Sequence, residues 1–330
     1  MTAGLSERTR HLIVLAIGLV LLFGLPWVVD VVTLLELTIY IVYAMFALSL
    51  GFIWGHGGIL CFGQAAFFGL GAYTYAVAAI NVGESSGPFL LAIILPAAFA
   101  ALLGAMMFYG RLSDVYLGVI TLVVALILFK FVNSTANETY VIGDARLGGF
   151  NGIPGFPTLN WPGDAGAPLM PDEMFYLAMG LLIAVYFGLH GLLRSRFGRI
   201  VVAIRENETR AELLGYDVRL YKTAVFAIGG AVAGLAGVLF ANWGNFVSPG
   251  VFGLAQSATA IIWVIVGGLG TLIGPIVGAV LIQFLTTQLG QQSVVNNAFV
   301  LGAILVLFVL LLPKGLMPTL GQLFTRGRRK

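Results

Sequence analysis

The sequence predicts an all-α integral membrane protein of about ten transmembrane helices, some of them broken or short. Three observations predict it. Hydrophobic residues make up 59% of the chain and charged residues only 9%, with a mean hydropathy of +1.01; soluble domains run near half apolar and a quarter charged. So little polar material cannot cover a water-facing surface. Apolar runs near the ~20 residues that cross a hydrocarbon core recur along the chain, rather than the short alternating segments of a barrel. In hydrocarbon every backbone N–H and C=O needs a partner within the protein, and a helix supplies these locally.

Apolar spans fall at 12–29, 34–54, 62–80, 89–109, 115–132, 174–193, 222–242, 254–268, 274–290 and 296–312. The first follows Arg8 and Arg10 and ends in bulky Pro26-Trp27-Val28-Val29. It has no small-x-small cleavage site and reads as a retained helix rather than a signal peptide. Spans 62–80 and 254–268 are short and glycine-flanked, and read as broken or re-entrant. The whole chain, 1–330, reads as a single polytopic domain.

Two segments interrupt this pattern. Residues 133–173 are rich in Gly and Pro and lack apolar periodicity, which predicts an ordered external loop capping a cavity mouth. It splits the chain into two groups of about five spans. Glycine-rich stretches at 51–71 and 267–278, one per group, suggest an internal repeat. The other interruption, Arg194–Lys222, gathers Arg194, Arg196, Arg199, Arg205, Arg210, Arg219 and Lys222 with Glu206, Glu208, Glu212 and Asp217. With ten spans, these cations share one side with Arg8, Arg10, Arg111, Lys314, Arg326, Arg328, Arg329 and Lys330. The excess of Lys and Arg makes that side cytoplasmic, with both termini on it. Residues 194–222 then form a cytoplasmic segment, and 133–173 face outward.

Within 194–222, Thr209-Arg210-Ala211-Glu212 has the pattern of a capping box, and Gly215 is placed to end the helix in a left-handed conformation. Leu213 and Leu214 lie between as an apolar knob. Glu206 and Arg210 are four apart and can pair. A solvated loop with capped ends is the plainer reading, but it leaves an ordered two-signed helix with an apolar tip unexplained.

Residues Gly55–Tyr73 contain six glycines in nineteen positions. They serve either tight helix packing or a helix break lining a substrate path. His56, Gln64, Tyr73 and Thr74 are the candidate path-lining groups. Gly270, Gly274 and Gly278 are spaced by four, as are Gly230 and Gly234, and each set predicts one close-packed helix face.

Several chemistries have no motif. No GxxxxGK[ST] phosphate loop, metal-ligand cluster or catalytic constellation occurs. Cys61 is the single cysteine, which excludes an internal disulfide. The one acidic candidate inside a span, Glu36, lies near a membrane edge with Asp30. Carriers driven by an ion gradient keep ionisable groups at mid-membrane. Lys130 lies near a span end, where it can snorkel. The chain therefore reads as a pore-former with no energy source of its own. Its partners include the lipid bilayer and not nucleic acid.

Residues Gly57–Tyr73 (GGILCFGQAAFFGLGAY), Phe197–Lys222 (FGRIVVAIRENETRAELLGYDVRLYK), Gly267–Gly278 (GGLGTLIGPIVG) and Leu147–Pro154 (LGGFNGIP) resemble the permease subunits of ABC importers for branched-chain amino acids, the LivM-like family. The matches keep the family's order across most of residues 40–290. The resemblance implies a bacterial inner-membrane subunit paired with a LivH-like second permease. It also implies a periplasmic substrate-binding protein above and two cytoplasmic ATPases below. The ATPases, not this chain, would hold ATP and magnesium, so the chain itself is no enzyme. A short permease helix would insert into each ATPase; here that helix maps to Arg205, Glu206, Asn207, Glu208, Thr209, Arg210, Ala211, Glu212, Leu213, Leu214 and Gly215. The resemblance further implies a fold like that of the vitamin-B12 importers. His56 and Cys61 depart from the family's pattern, where Gly or Ser-like residues are expected. Importers of urea and short amides share these signatures and carry Arg near the position of Leu269, so the substrate stays open between the two. A stand-alone secondary transporter is the alternative from another class.

Overall fold

The computed structural model describes residues 7–161, 163–164, 166–290, 302, 306 and 315–319. Nine of the ten expected spans coincide with helices among them: α1 (Glu7–Val28), α2 (Val31–Gly55), α3 (Gln64–Val82), α4 (Ser86–Tyr109), α5 (Asp114–Ser134), α6 (Pro171–Arg194), α9 (Val218–Gly244), α10 (Leu254–Gly267) and α11 (Ile273–Gly290). Between α6 and α9 lie two more, α7 (Arg196–Glu206) and α8 (Glu208–Leu213). The tenth span, 296–312, lies outside the described residues except for Gly302 and Val306.

Among the described residues, six helices (α2 to α6 and α9) are long and apolar enough to cross a membrane; α10 and α11 are shorter. The chain is thus an all-α, multi-pass membrane protein. Helix α9 is its axis, packed against α2, α3 and α4. Most of α9's apolar stretch is buried, whereas α4, α5 and α6 leave most of theirs open. Leu90, Ile94, Leu102 and Met106 on α4, and Val119, Ile127 and Phe131 on α5, form apolar outer surface. Hydrocarbon accepts that surface at no cost, so the absence of a polar coat follows from the solvent.

Helices this close need small residues where backbones meet. A methyl group on Gly230 would lie 2.5 Å from Ala100 Cβ, and one on Gly234 would lie 2.7 Å from Pro96 Cγ, so both seat α9 on α4. Gly274 and Gly278 do the same between α11 and the end of α10, where methyls would meet Gly268 O at 2.6 Å and Trp263 O at 2.1 Å. The expected third member of that face, Gly270, does not belong to it. It precedes α11 in a left-handed turn (φ +84°), with open space where a side chain would go.

The described residues of the 133–173 segment form ordered structure. Strand β1 (Val141–Ile142) pairs antiparallel with β2 (Ala145–Arg146), and β3 (Ile153–Pro154) pairs with β4 (Phe246–Val247), just beyond α9. Side chains fasten it to the helix ends. Leu159 N donates to Asn242 Oδ1 at 2.7 Å, Ser85 N to Asn160 Oδ1 at 3.0 Å, and Tyr75 OH to the Pro157 carbonyl at 3.1 Å.

Candidate functional site

On the face opposite that segment, the chain builds a small polar unit from α7, α8 and the start of α9. Ser195 ends α6 and begins α7, its hydroxyl donating to Leu192 O and accepting from Gly198 N. Helix α7 is amphipathic: Ile200, Val201 and Ile204 are buried while Arg196 and Arg199 are exposed. Asp217 opens α9 by accepting from the N–H groups of Arg219 and Leu220.

Helix α8 is fixed at both ends. At its start Asn207 Oδ1 accepts from Arg210 N at 2.8 Å. The capping box expected at Thr209–Glu212 does not form; Thr209 lies one residue inside the helix, and the extended Asn207 (φ −160°, ψ 101°) takes the capping position. An Asn side chain caps as well as a Ser or Thr, so Asn207 closes the helix two residues earlier. At the other end Gly215 adopts φ +88°, with Gly215 N bonded to Glu212 O and Tyr216 N to Ala211 O. That pair of bonds is the Schellman arrangement, which only a left-handed residue allows cheaply.

The two faces of α8 differ sharply. Ala211 is buried against Ile200, Ile204 and Val218, a cluster separate from the main core. Leu213 and Leu214 point away and are 83% and 71% exposed. Glu208 pairs with Lys222, tying the helix to α9. The expected Glu206–Arg210 pair is absent from the described ion pairs. Glu206 instead accepts from its neighbour Arg205, whose other guanidinium nitrogen turns inward to the Gly55 carbonyl. Of the eleven residues Arg205–Gly215, then, the structure brings ten into one surface element and turns Arg205 toward the bundle.

Beside α8 lies a cavity of about 430 Å³ that the sequence did not reveal, walled by Arg111, Asp114, Glu208, Glu212, Arg219 and Lys222. Its three cations and three carboxylates balance. The Arg219 guanidinium carbon stands 5.8 Å from the Tyr109 ring centre, and Lys222 Nζ stands 5.9 Å from that of Phe108. Two of the cations thus rest on aromatic faces, and Lys222 pairs with Glu208 as well. Arg111 was legible only as an orientation signal. Its place next to α8 depends on α4 and α9 packing together, and no local pattern records that.

Of the four candidate path residues, His56 follows α2, and Gln64, Tyr73 and Thr74 lie on α3. Neither the cavity beside α8 nor a larger one of about 860 Å³ on the opposite face, walled in part by Asn160, Trp161, Asp172 and Glu173, includes any of them. Gln64 is fully buried and donates to Ser49 Oγ at 2.9 Å and to Gly229 O at 3.4 Å, holding α3 to α2 and α9. It is an internal fastener, sealed from water in this conformation. Tyr73 is also buried, its ring 5.4 Å from that of Phe252. Thr74 is half-buried beside it. His56 caps the end of α2 with its ring stacked on Phe52. Burial pushes its pKa down to about 4, the Arg205 cation adding to the effect and a hydrogen bond donated to the backbone of Gly51 opposing it, so the imidazole is neutral at physiological pH. Cys61 is buried, as a small apolar residue would be. No metal-binding cluster of His, Cys, Asp and Glu is present among the described residues.

The family described as branched-chain amino acid transport system / permease component matches residues 33–309. The high-affinity branched-chain amino acid transport system permease protein LivM of Escherichia coli is 30% identical over 319 residues, 91% of this chain and 73% of that protein. The probable branched-chain amino acid transport permease protein LivM of Methanocaldococcus jannaschii is 25% identical over 69% of this chain and 72% of its own length. The ribose import permease protein RbsC of Escherichia coli is 28% identical over 71% of this chain and 74% of its own. No solved structure matches the chain, so the likeness to the vitamin-B12 importers rests on the sequence resemblance alone. The match covers both glycine-rich stretches, the outer segment and all of α7 and α8, and by it the chain belongs to the family of permease components of branched-chain amino acid transport systems.

Proposed function

We propose that the chain is the membrane-spanning permease subunit of an ATP-driven importer that moves branched-chain or other hydrophobic amino acids by alternating access. In this reading it sits in a bacterial inner membrane with both termini in the cytoplasm, beside a LivH-like second permease. Two ATPases bind on the basic face and carry the ATP and magnesium. A binding protein delivers substrate to the face formed by residues 133–173. The permease itself hydrolyses nothing.

One observation carries the reading: α8 is a helix held rigidly at both ends that leaves Leu213 and Leu214 exposed on the basic face. A solvated loop gains nothing from such a tip. Burying a leucine side chain is worth about 1.5–3 kcal/mol, so a partner with an apolar groove gains a useful fraction of its binding energy there. The relatives include a ribose import permease beside the branched-chain amino acid permeases, which fits a division of labour where the binding protein selects the substrate.

The test is leucine uptake into proteoliposomes holding the complete complex and its binding protein. Uptake that requires ATP and ceases when the ATPases are omitted is the expected result. Uptake by this chain alone, driven by an ion gradient and indifferent to ATP, would contradict the reading and establish a secondary transporter. Uptake of urea or a short amide in place of leucine would keep the mechanism and change the substrate.

A further inference from the structure

We propose that Arg205 is a positioning residue that transmits movement of α8 to the break between α2 and α3. The proposal rests on α8 being the ATPase contact. It concerns a different step, namely how a push on that helix reaches the membrane-spanning bundle.

The argument begins with the end of α2. A helix leaves its last four carbonyls without partners inside the helix. Here the turn that follows supplies three. Phe52 O accepts from His56 N and Gly57 N, Ile53 O from Ile59 N, and Trp54 O from Gly58 N. The fourth, Gly55 O, accepts from Arg205 Nη1 at 2.5 Å, across 150 residues of sequence. A cation at a helix C-terminus is also favoured by the helix dipole. The rest of the Arg205 side chain lies over Gly58. That residue has φ +70°, and a methyl group on it would come within 2.7 Å of Arg205 Cγ. Arg205 therefore grips the break twice, by its head at Gly55 and by its stem at Gly58.

On the other side, Arg205 is continuous with α8. It occupies the last turn of α7, Asn207 both ends α7 and caps α8, and Ala211 packs on Ile200 and Ile204 of α7. The break in turn touches the second glycine-rich turn. A methyl on Gly55 would meet Gly270 N at 3.0 Å, and one on Gly51 would meet Pro275 Cγ at 2.3 Å. The contacts run from α8 through Arg205 to the α2–α3 break and on to the α10–α11 turn. Displacing α7 and α8 must drag Gly55 with them or break a charge-assisted hydrogen bond at a half-buried site.

Arg205→Ala, Arg205→Lys and Gly58→Ala test this in the complete complex. In Arg205→Ala the ATPases should still co-purify, while leucine taken up per ATP hydrolysed falls at least tenfold. Arg205→Lys should recover part of the loss, since an ammonium can donate to the Gly55 carbonyl but cannot reproduce the planar guanidinium that also holds Glu206. Gly58→Ala, which disturbs the same contact from the other partner, should reproduce the defect. A spin label at Leu60 in a Cys61→Ala background gives a readout free of substrate: ATP should change its mobility in the parent complex and not in Arg205→Ala. An unchanged uptake-to-ATP ratio and an unchanged label response in Arg205→Ala would overturn the proposal. So would loss of the ATPases from that variant, which would make Arg205 part of the docking surface. Failure of the docking reading shows separately, as retention of the ATPases by Leu214→Asp.

Discussion

The two polar faces of the molecule are attached to the bundle in different ways. The outer segment, residues 133–173, is fastened at many points, to α3, to the start of α4 and to the end of α9. Asn81 holds the Asp144 N–H and the Ile142 carbonyl, Ser85 and Asn160 bond each other, Tyr75 reaches Pro157, and Asn242 takes Leu159. Strand β3 adds a backbone ladder to β4. The unit on the basic face, α7 with α8, has few polar fastenings to the bundle, the Glu208–Lys222 pair and Arg205 on Gly55; the rest is apolar packing, by the four-residue cluster and by Val201 and Phe197 against the main core. The contrast suits a fixed cap on one side and a lever on the other. A lever needs rigidity within itself, which the capped ends of α8 and the small cluster beneath it supply.

Substitutions can sharpen or break that contrast. Ala211→Asp places a carboxylate in the small cluster under α8, at a cost on the order of 3 kcal/mol. It should detach α8 from α7, raising protease cleavage within 207–217 and abolishing uptake, while α2, α3, α4 and α9 keep their protection. Asn242→Ala leaves the buried Leu159 N–H without its acceptor, a loss of about 1–3 kcal/mol. Its thermal midpoint in detergent should fall while the ATPases remain bound. Asn207→Ala removes the α8 cap at about 1 kcal/mol. It should scarcely move the midpoint, yet lower uptake, because the loss falls on the lever alone. Equal effects of Asn242→Ala and Asn207→Ala on midpoint and on uptake would erase the distinction between the two faces.

How much of this was legible in the sequence varies with the range of the interaction. The spans were legible because hydrocarbon demands long apolar helices and leaves little room for other solutions. The end of α8 was legible because Gly215 is one of few residues that take φ +88° without strain. The start was misplaced: Thr209 and Glu212 satisfy a local pattern, but Asn207 reaches Arg210 N first. Gly270 failed for a similar reason, since a four-residue spacing means a shared face only where the chain is helical throughout. Gln64 carried no signal of its fate. A glutamine in an apolar run reads as a path residue, and only the packing of α2, α3 and α9 converts it into a fastener. The grip of Arg205 on Gly55 was likewise invisible, because nothing local joins two residues 150 apart.

The central claim is that α8 is a port where another protein pushes, and Leu214→Asp tests it most directly. Leu214 is 71% exposed and terminates a helix already closed by backbone bonds, so a carboxylate there should leave the fold and its thermal midpoint intact. Affinity purification of the complex from membranes then gives the answer. The account predicts that Leu214→Asp retains the second permease, loses the ATPases and takes up no leucine; ATPases recovered at the parent ratio would contradict it.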